Sequence, residues 1–109
     1  MVTWKDLHMN EIGQPIVLTH FESTSVQVFG EFDTTGILEI EGSNTLDGSV
    51  WGVLRDIRGE ITQFNRPEIK QVWENTLWIR PHVTGGTKKT VLTVALCVAT
   101  ATQTTQSIH

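Results

Sequence analysis

Apolar residues recur at every second position through much of this 109-residue chain, and a period of two predicts strands. The clearest stretch is residues 71–100, QVWENTLWIRPHVTGGTKKTVLTVALCVAT. Leu77, Ile79, Pro81 and Val83 alternate there with Trp78, Arg80 and His82, and Leu92, Val94, Leu96 and Val98 alternate with Val91, Thr93, Ala95 and Cys97. Between the two runs stands Gly85-Gly86-Thr87-Lys88-Lys89, with glycine freedom at one end and two solvated lysines at the other, which predicts a β-hairpin.

Upstream the strands are shorter. Residues 15–18 form a brief apolar run after an Ile12-Gly13-Gln14 turn. Val26, Val28 and Phe32 then alternate with Gln27, Phe29 and Glu31, and Gly30 among them marks a bulge or a close approach of backbone. A turn at residues 33–36 leads to Leu38 and Ile40 alternating with Glu39 and Glu41, the signature of a half-buried antiparallel strand. Residues 42–49 have loop chemistry, 50–54 resume extended structure, 56–60 turn, and 61–64 form another short strand. Residues 67–74 predict the one helical turn: Pro67 suits a first helical position, Glu68 sits beside it, and Ile69, Val72 and Trp73 follow at spacings of three and four. About seven or eight strands with hardly any helix predict an all-β fold, a single antiparallel β-sandwich of jelly-roll or immunoglobulin-like kind. The single cysteine leaves no immunoglobulin disulfide, which favours a jelly roll or a simple sandwich.

At this length the chain is one domain and buries about 65% of its unfolded surface. Residues 1–99 are its expected extent, followed by a polar arm or tail at 100–109. Cys97 falls in the most apolar run, where it reads as a small buried hydrophobe. Neither a signal peptide nor an apolar run of membrane-spanning length occurs, so a soluble protein made in the cytoplasm, with no membrane partner, is expected. Net charge is −4, which opposes nucleic-acid binding, since that needs a basic stripe to displace counterions from phosphates. Residues 1–60 carry three basic against ten acidic side chains and residues 61–109 five against two, an asymmetry that matters only if the halves do not interleave.

Catalytic chemistry is poorly represented. His8, His20, His82 and His109 are scattered without metal-ligand spacing, and no serine lies in a nucleophile elbow. Asp33, Asp47 and Asp56 occupy turn-like segments where carboxylates bond nearby amides, and residues 44–47 lack the dense carboxylates of a strong calcium loop. No enzyme and no cofactor is expected. Binding residues are better represented. Trp51 and Trp73 fit core or core-edge positions; Trp78 shares a polar strand face with Arg80 and His82, either exposed at an interface or stacked beneath Arg80. Trp4, in an N-terminal segment that must pack on its own domain or a neighbour, is a further interface candidate. Lys88 and Lys89 at the turn tip, and Gln103, Thr104 and Gln106 in the tail, complete the candidate contact set.

The segments Phe29-Gly30-Glu31-Phe32, Gly36-Ile37-Leu38-Glu39-Ile40-Glu41-Gly42-Ser43-Asn44, Gly48-Ser49-Val50-Trp51 and Gln71-Val72-Trp73-Glu74-Asn75, followed by Trp78-Ile79-Arg80-Pro81-His82-Val83-Thr84-Gly85-Gly86, occur in an order that resembles a family of small β-sandwich proteins of tailed bacteriophages. That resemblance spans residues 26–98 and implies a capsid cement or decoration protein. Such a protein sits on the outside of the virion, clamps neighbouring copies of the major capsid protein, and associates with itself as a dimer or trimer. A carbohydrate-binding sandwich is the alternative from a different class. It would stack a glycan on Trp78 or Trp4, with Asn75 and Arg80 as polar neighbours of Trp78.

Overall fold

Alternation sorts the side chains into an inner and an outer set, and two sheets packed through their inner sets form this molecule. The computed structural model describes residues 1–18 and 23–99. Among them are nine strands and no helix: β1 (Val2–His8), β2 (Ile16–Val17), β3 (Ser23–Glu31), β4 (Ile37–Ser43), β5 (Gly52–Val53), β6 (Gln63–Phe64), β7 (Glu68–Val72), β8 (Trp78–Gly85) and β9 (Val91–Ala99). A four-stranded sheet has the order β1-β9-β3-β7; a five-stranded sheet has the order β2-β8-β4-β5, with β6 also on β4. All pairings are antiparallel.

The chain changes sheet at every step except from β4 through β5 to β6. This double Greek-key order is that of a jelly roll and decides between the two sandwich types. Val26, Val28, Val72, Leu92, Val94 and Leu96 from one sheet meet Leu38, Ile40, Phe64, Ile79 and Val83 from the other, all essentially without solvent. Strands from the two halves of the sequence alternate within the four-stranded sheet, so the charge asymmetry does not make two poles.

The structure corrects four expectations. First, β8 and β9 are not a hairpin: they lie in opposite sheets, and the residues between them form an arch over the end of the core. Alternation marks the buried face of a strand but is silent on its hydrogen-bonded partner, and both runs bury one face. The arch lies beside a second one at residues 32–36, which carries β3 into β4. Thr90, fully buried, receives a bond from the Thr87 amide at 2.9 Å and donates to the Phe32 carbonyl at 3.2 Å, while Thr87 Oγ1 donates to Asp33. Gly86 has φ +132°, which few other residues adopt.

Second, the predicted helical turn is strand β7, with Val72 inward and Ile69 and Trp73 outward. Residues four apart share a face in a strand as in a helix, so the spacing of Ile69 and Trp73 fits both. Pairing with β3 from Thr24↔Val72 to Val28↔Glu68 settles it. Third, Cys97 is exposed, because Leu96 takes the inward position beside it. Fourth, Trp4 is a core residue, 9% exposed, and is not available as an interface anchor. It reaches the interior because β1 pairs with β9, and its indole N–H donates to the Gln14 carbonyl at 2.9 Å. A bulge between Trp4 and Leu7, with Asp6 at φ 56°, lets both point inward although they are three apart. Gly30, at φ +116°, fills the role of close backbone approach: a Cβ there would stand 2.4 Å from the Val91 carbonyl oxygen.

Candidate interaction surfaces

On the outer face of the five-stranded sheet, β8 presents Trp78, Arg80 and His82 together, directly across from Ser43, Glu41 and Glu39 of β4. Arg80 Nε donates to Glu41 Oε1 at 2.8 Å, and His82 Nδ1 lies 2.9 Å from Glu41 Oε2. Burial works to raise the Glu41 pKa, but the hydrogen bonds and charges of His82 and Arg80 outweigh it and hold the carboxyl below its ordinary range. The Arg80 guanidinium stacks 4.0 Å from the centroid of Trp51, so the cation–π partner is Trp51 and not Trp78. Gln63 donates to Glu39 at 3.1 Å. Cation and carboxylate are thus spent on each other, which makes this face a brace.

Trp78 is half-buried beneath residues 44–51. Its indole N–H donates to the Thr45 carbonyl at 3.1 Å, and Gly48 passes over its ring, where a Cβ would come within 3.4 Å. Trp51 Nε1 donates to the Gly48 carbonyl at 2.7 Å, and Ser49 N donates to Asp47 and Thr45, so the loop is held at several points. It carries Leu46 and Val50 outward, 90% and 66% exposed. Two apolar side chains thus stand exposed on a fastened loop, and Trp78 supports that loop from below.

The opposite side of the sandwich differs in character. Reading the pairing register across the four-stranded sheet, the outward positions include Thr3 on β1; Val91, Thr93, Ala95 and Cys97 on β9; Ser25, Gln27, Phe29 and Glu31 on β3; and Ile69 and Gln71 on β7. Of these only Glu31, at the end of β3, is charged. Residues 55–57 extend this face, because Asp56 bridges Val72, Ile57 N donates to the Gln71 carbonyl and Trp73 N donates to the Arg55 carbonyl. That extension rests on Asp56, 2% exposed. Its Oδ1 accepts the amides of Arg58 and Glu60 at 2.9 and 3.1 Å, and although burial opposes ionisation these bonds hold its pKa below the ordinary value.

The result is an apolar ridge of Ile57, Ile69 and Trp73 along one margin, with Phe29 and Met1 elsewhere on or beside the face, each between 44% and 90% exposed. A shallow depression of about 340 Å³ lies between Trp73, Ile57, Arg55 and Arg58. Trp73, expected at a core or core-edge position, is instead the most exposed tryptophan. Its signal was present as parity with Ile69 in a strand, and the helical reading of residues 67–74 hid it.

Lys88 and Lys89 are exposed at the tip of the β8–β9 arch, away from both faces just described. Gln103, Thr104 and Gln106, with the whole tail, lie outside the described residues. Asp47 and Asp56 bond nearby backbone amides as expected of turn carboxylates, whereas Asp33 accepts from the Thr87 hydroxyl. Among the described residues no group of three His, Cys, Asp or Glu side chains converges as a metal site would require. No family model, curated protein or solved structure matches the chain.

Proposed function

We propose that this chain is a structural protein of a tailed-phage virion, a cement or decoration protein that sits on the capsid exterior and bridges neighbouring major capsid proteins. One observation carries the reading: exposed apolar side chains stand on opposite faces of a rigid sandwich, Leu46 and Val50 on one and Ile57, Ile69 and Trp73 on the other. A bridging protein needs two separate contact surfaces, whereas an enzyme or a single-ligand module needs one concave site. The family resemblance of residues 26–98 supplies the shell as the partner, and the jelly roll is compatible with it without deciding it, since one fold serves many tasks. Quantitative mass spectrometry of purified particles tests the proposal. The expected outcome is a fixed ratio to the major capsid protein, near one or a simple symmetry fraction of it; a handful of copies per particle, or none, would overturn it.

A carbohydrate-binding reading is favoured by a different residue from those the sequence pointed to. Trp4 and Trp78 are committed to core and loop, but Trp73 is 67% exposed beside Arg55 and Arg58. Stacking of a pyranose on Trp73 would change its fluorescence, so titration with a glycan panel reads this alternative directly, and a flat response removes it.

A further inference from the structure

We infer that the 44–51 loop meets its partner already in its binding shape, and that Thr45 is the positioning residue that holds it there through its side-chain hydroxyl, resting on the capsid reading only for the identity of that partner. The loop gives both of its aliphatic side chains to solvent, Leu46 90% and Val50 66% exposed, so their burial is not what orders it. Polar bonds order it instead, and they converge on Thr45.

The Thr45 hydroxyl oxygen accepts the Ser49 amide at 3.0 Å and the Val50 amide at 3.4 Å. A hydroxyl has two acceptor lone pairs and one hydrogen, so with both lone pairs taken its proton goes to Ser43 Oγ, 2.7 Å away. Ser43 ends β4 and is 3% exposed, which ties the hydroxyl to the sheet. On its other side the Thr45 carbonyl accepts the Trp78 indole N–H and the Gly48 amide, each at 3.1 Å. One residue therefore grips the sheet and both arms of the loop: Leu46 is joined to it through the chain and Val50 through its amide. The spacing of the two exposed aliphatic side chains is set there. A loose loop must be ordered when it binds and loses affinity by that cost, whereas a fastened one has little ordering left to do. The hydroxyl is felt in affinity more than in folding, because Ser49 and Val50 are exposed and water can take over their amides.

Amide exchange on the purified chain and rebinding to particles depleted of the protein test this together. Thr45→Val keeps the shape of the side chain and removes the hydroxyl; Thr45→Ser keeps the hydroxyl. In Thr45→Val the Ser49 and Val50 amides are expected to exchange at least about 5-fold faster than in wild type. Its rebinding is expected to be about 10-fold weaker at an unchanged number of sites, with a melting temperature within about 5 °C of wild type. Thr45→Ser is expected to match wild type in all three. A purely structural Thr45 would lower the melting temperature and leave the affinity of the folded variant unchanged, and that result overturns the inference. So does a Thr45→Ser variant that fails to restore affinity. Exchange is read without particles, so the two readings fail separately. Wild-type protein that does not rebind at all overturns both, whereas a Thr45→Val variant that exchanges or rebinds as wild type does overturns the inference alone.

Discussion

Glu41 shows how a surface that looks chemically equipped is in fact self-contained. Its two oxygens engage Arg80 and His82, and Arg80 is also stacked on Trp51, so removing the carboxylate releases two neighbours at once and loosens the hold on the Arg80–Trp51 stack. Its pKa is held below the ordinary carboxylate range despite burial, so its ionised form favours the folded state above that range. That contribution is lost as pH falls through the depressed folded-state pKa. Glu41→Gln is therefore expected to cost about 1–2 kcal/mol at pH 7, allowing for the solvent-facing side of the pair. For a domain of this size that is a fall in melting temperature of roughly 4–10 °C. Thermal melts of wild type and variant at pH 7 and pH 3 check the sign: the gap should narrow at pH 3, and a gap independent of pH would mean that the charge network contributes nothing.

The arches between β3 and β4 and between β8 and β9 carry the change of sheet that makes this a jelly roll, and Thr90 fastens one to the other. Thr90→Val keeps its shape and burial but leaves the Thr87 amide and the Phe32 carbonyl without their partner. The expected cost is about 1–3 kcal/mol. Hydrogen exchange should show faster exchange of amides in residues 86–90 while those of β3 and β9 stay protected, and uniform protection throughout would exclude the fastening role. The same elements mark how far the sequence could be read. The inward sets of β3, β4, β8 and β9 were legible because burial of one sheet face imposes a period of two. The partner of each strand was not, since pairing is a long-range choice that leaves no local trace, and the Gly-Gly turn suits an arch as well as a hairpin. In β7, five residues were too few to separate the two periods, and pairing with β3 overrode the helical signals of Pro67 and Glu68. That misreading propagated to the site, because assigning Trp73 to the core concealed the ridge it forms with Ile57 and Ile69. Trp4 erred in the other direction: its burial depends on the bulge at Asp6 and on a partner strand at the far end of the sequence.

On the proposed reading the bridge belongs to the whole molecule, because its two apolar surfaces lie on opposite faces of one sandwich: Leu46 and Val50 on the 44–51 loop, and Ile57, Ile69 and Trp73 beside the four-stranded sheet. Attachment to a shell is then bivalent, each surface making a modest apolar contact with a different capsid subunit. Linking two modest contacts raises overall affinity by about 10²–10⁴-fold with no new interaction, because the second contact forms at high effective concentration. Leu46→Glu and Ile69→Glu each remove one contact, leave the other and touch no core residue. Each is therefore expected to bind particles depleted of the protein at least about 100-fold more weakly than wild type while its melting temperature stays close to wild type. Binding isotherms on such particles read the outcome: if one variant lost affinity and the other bound as wild type does, the chain would hold the shell through a single face, and the bridging role would be wrong.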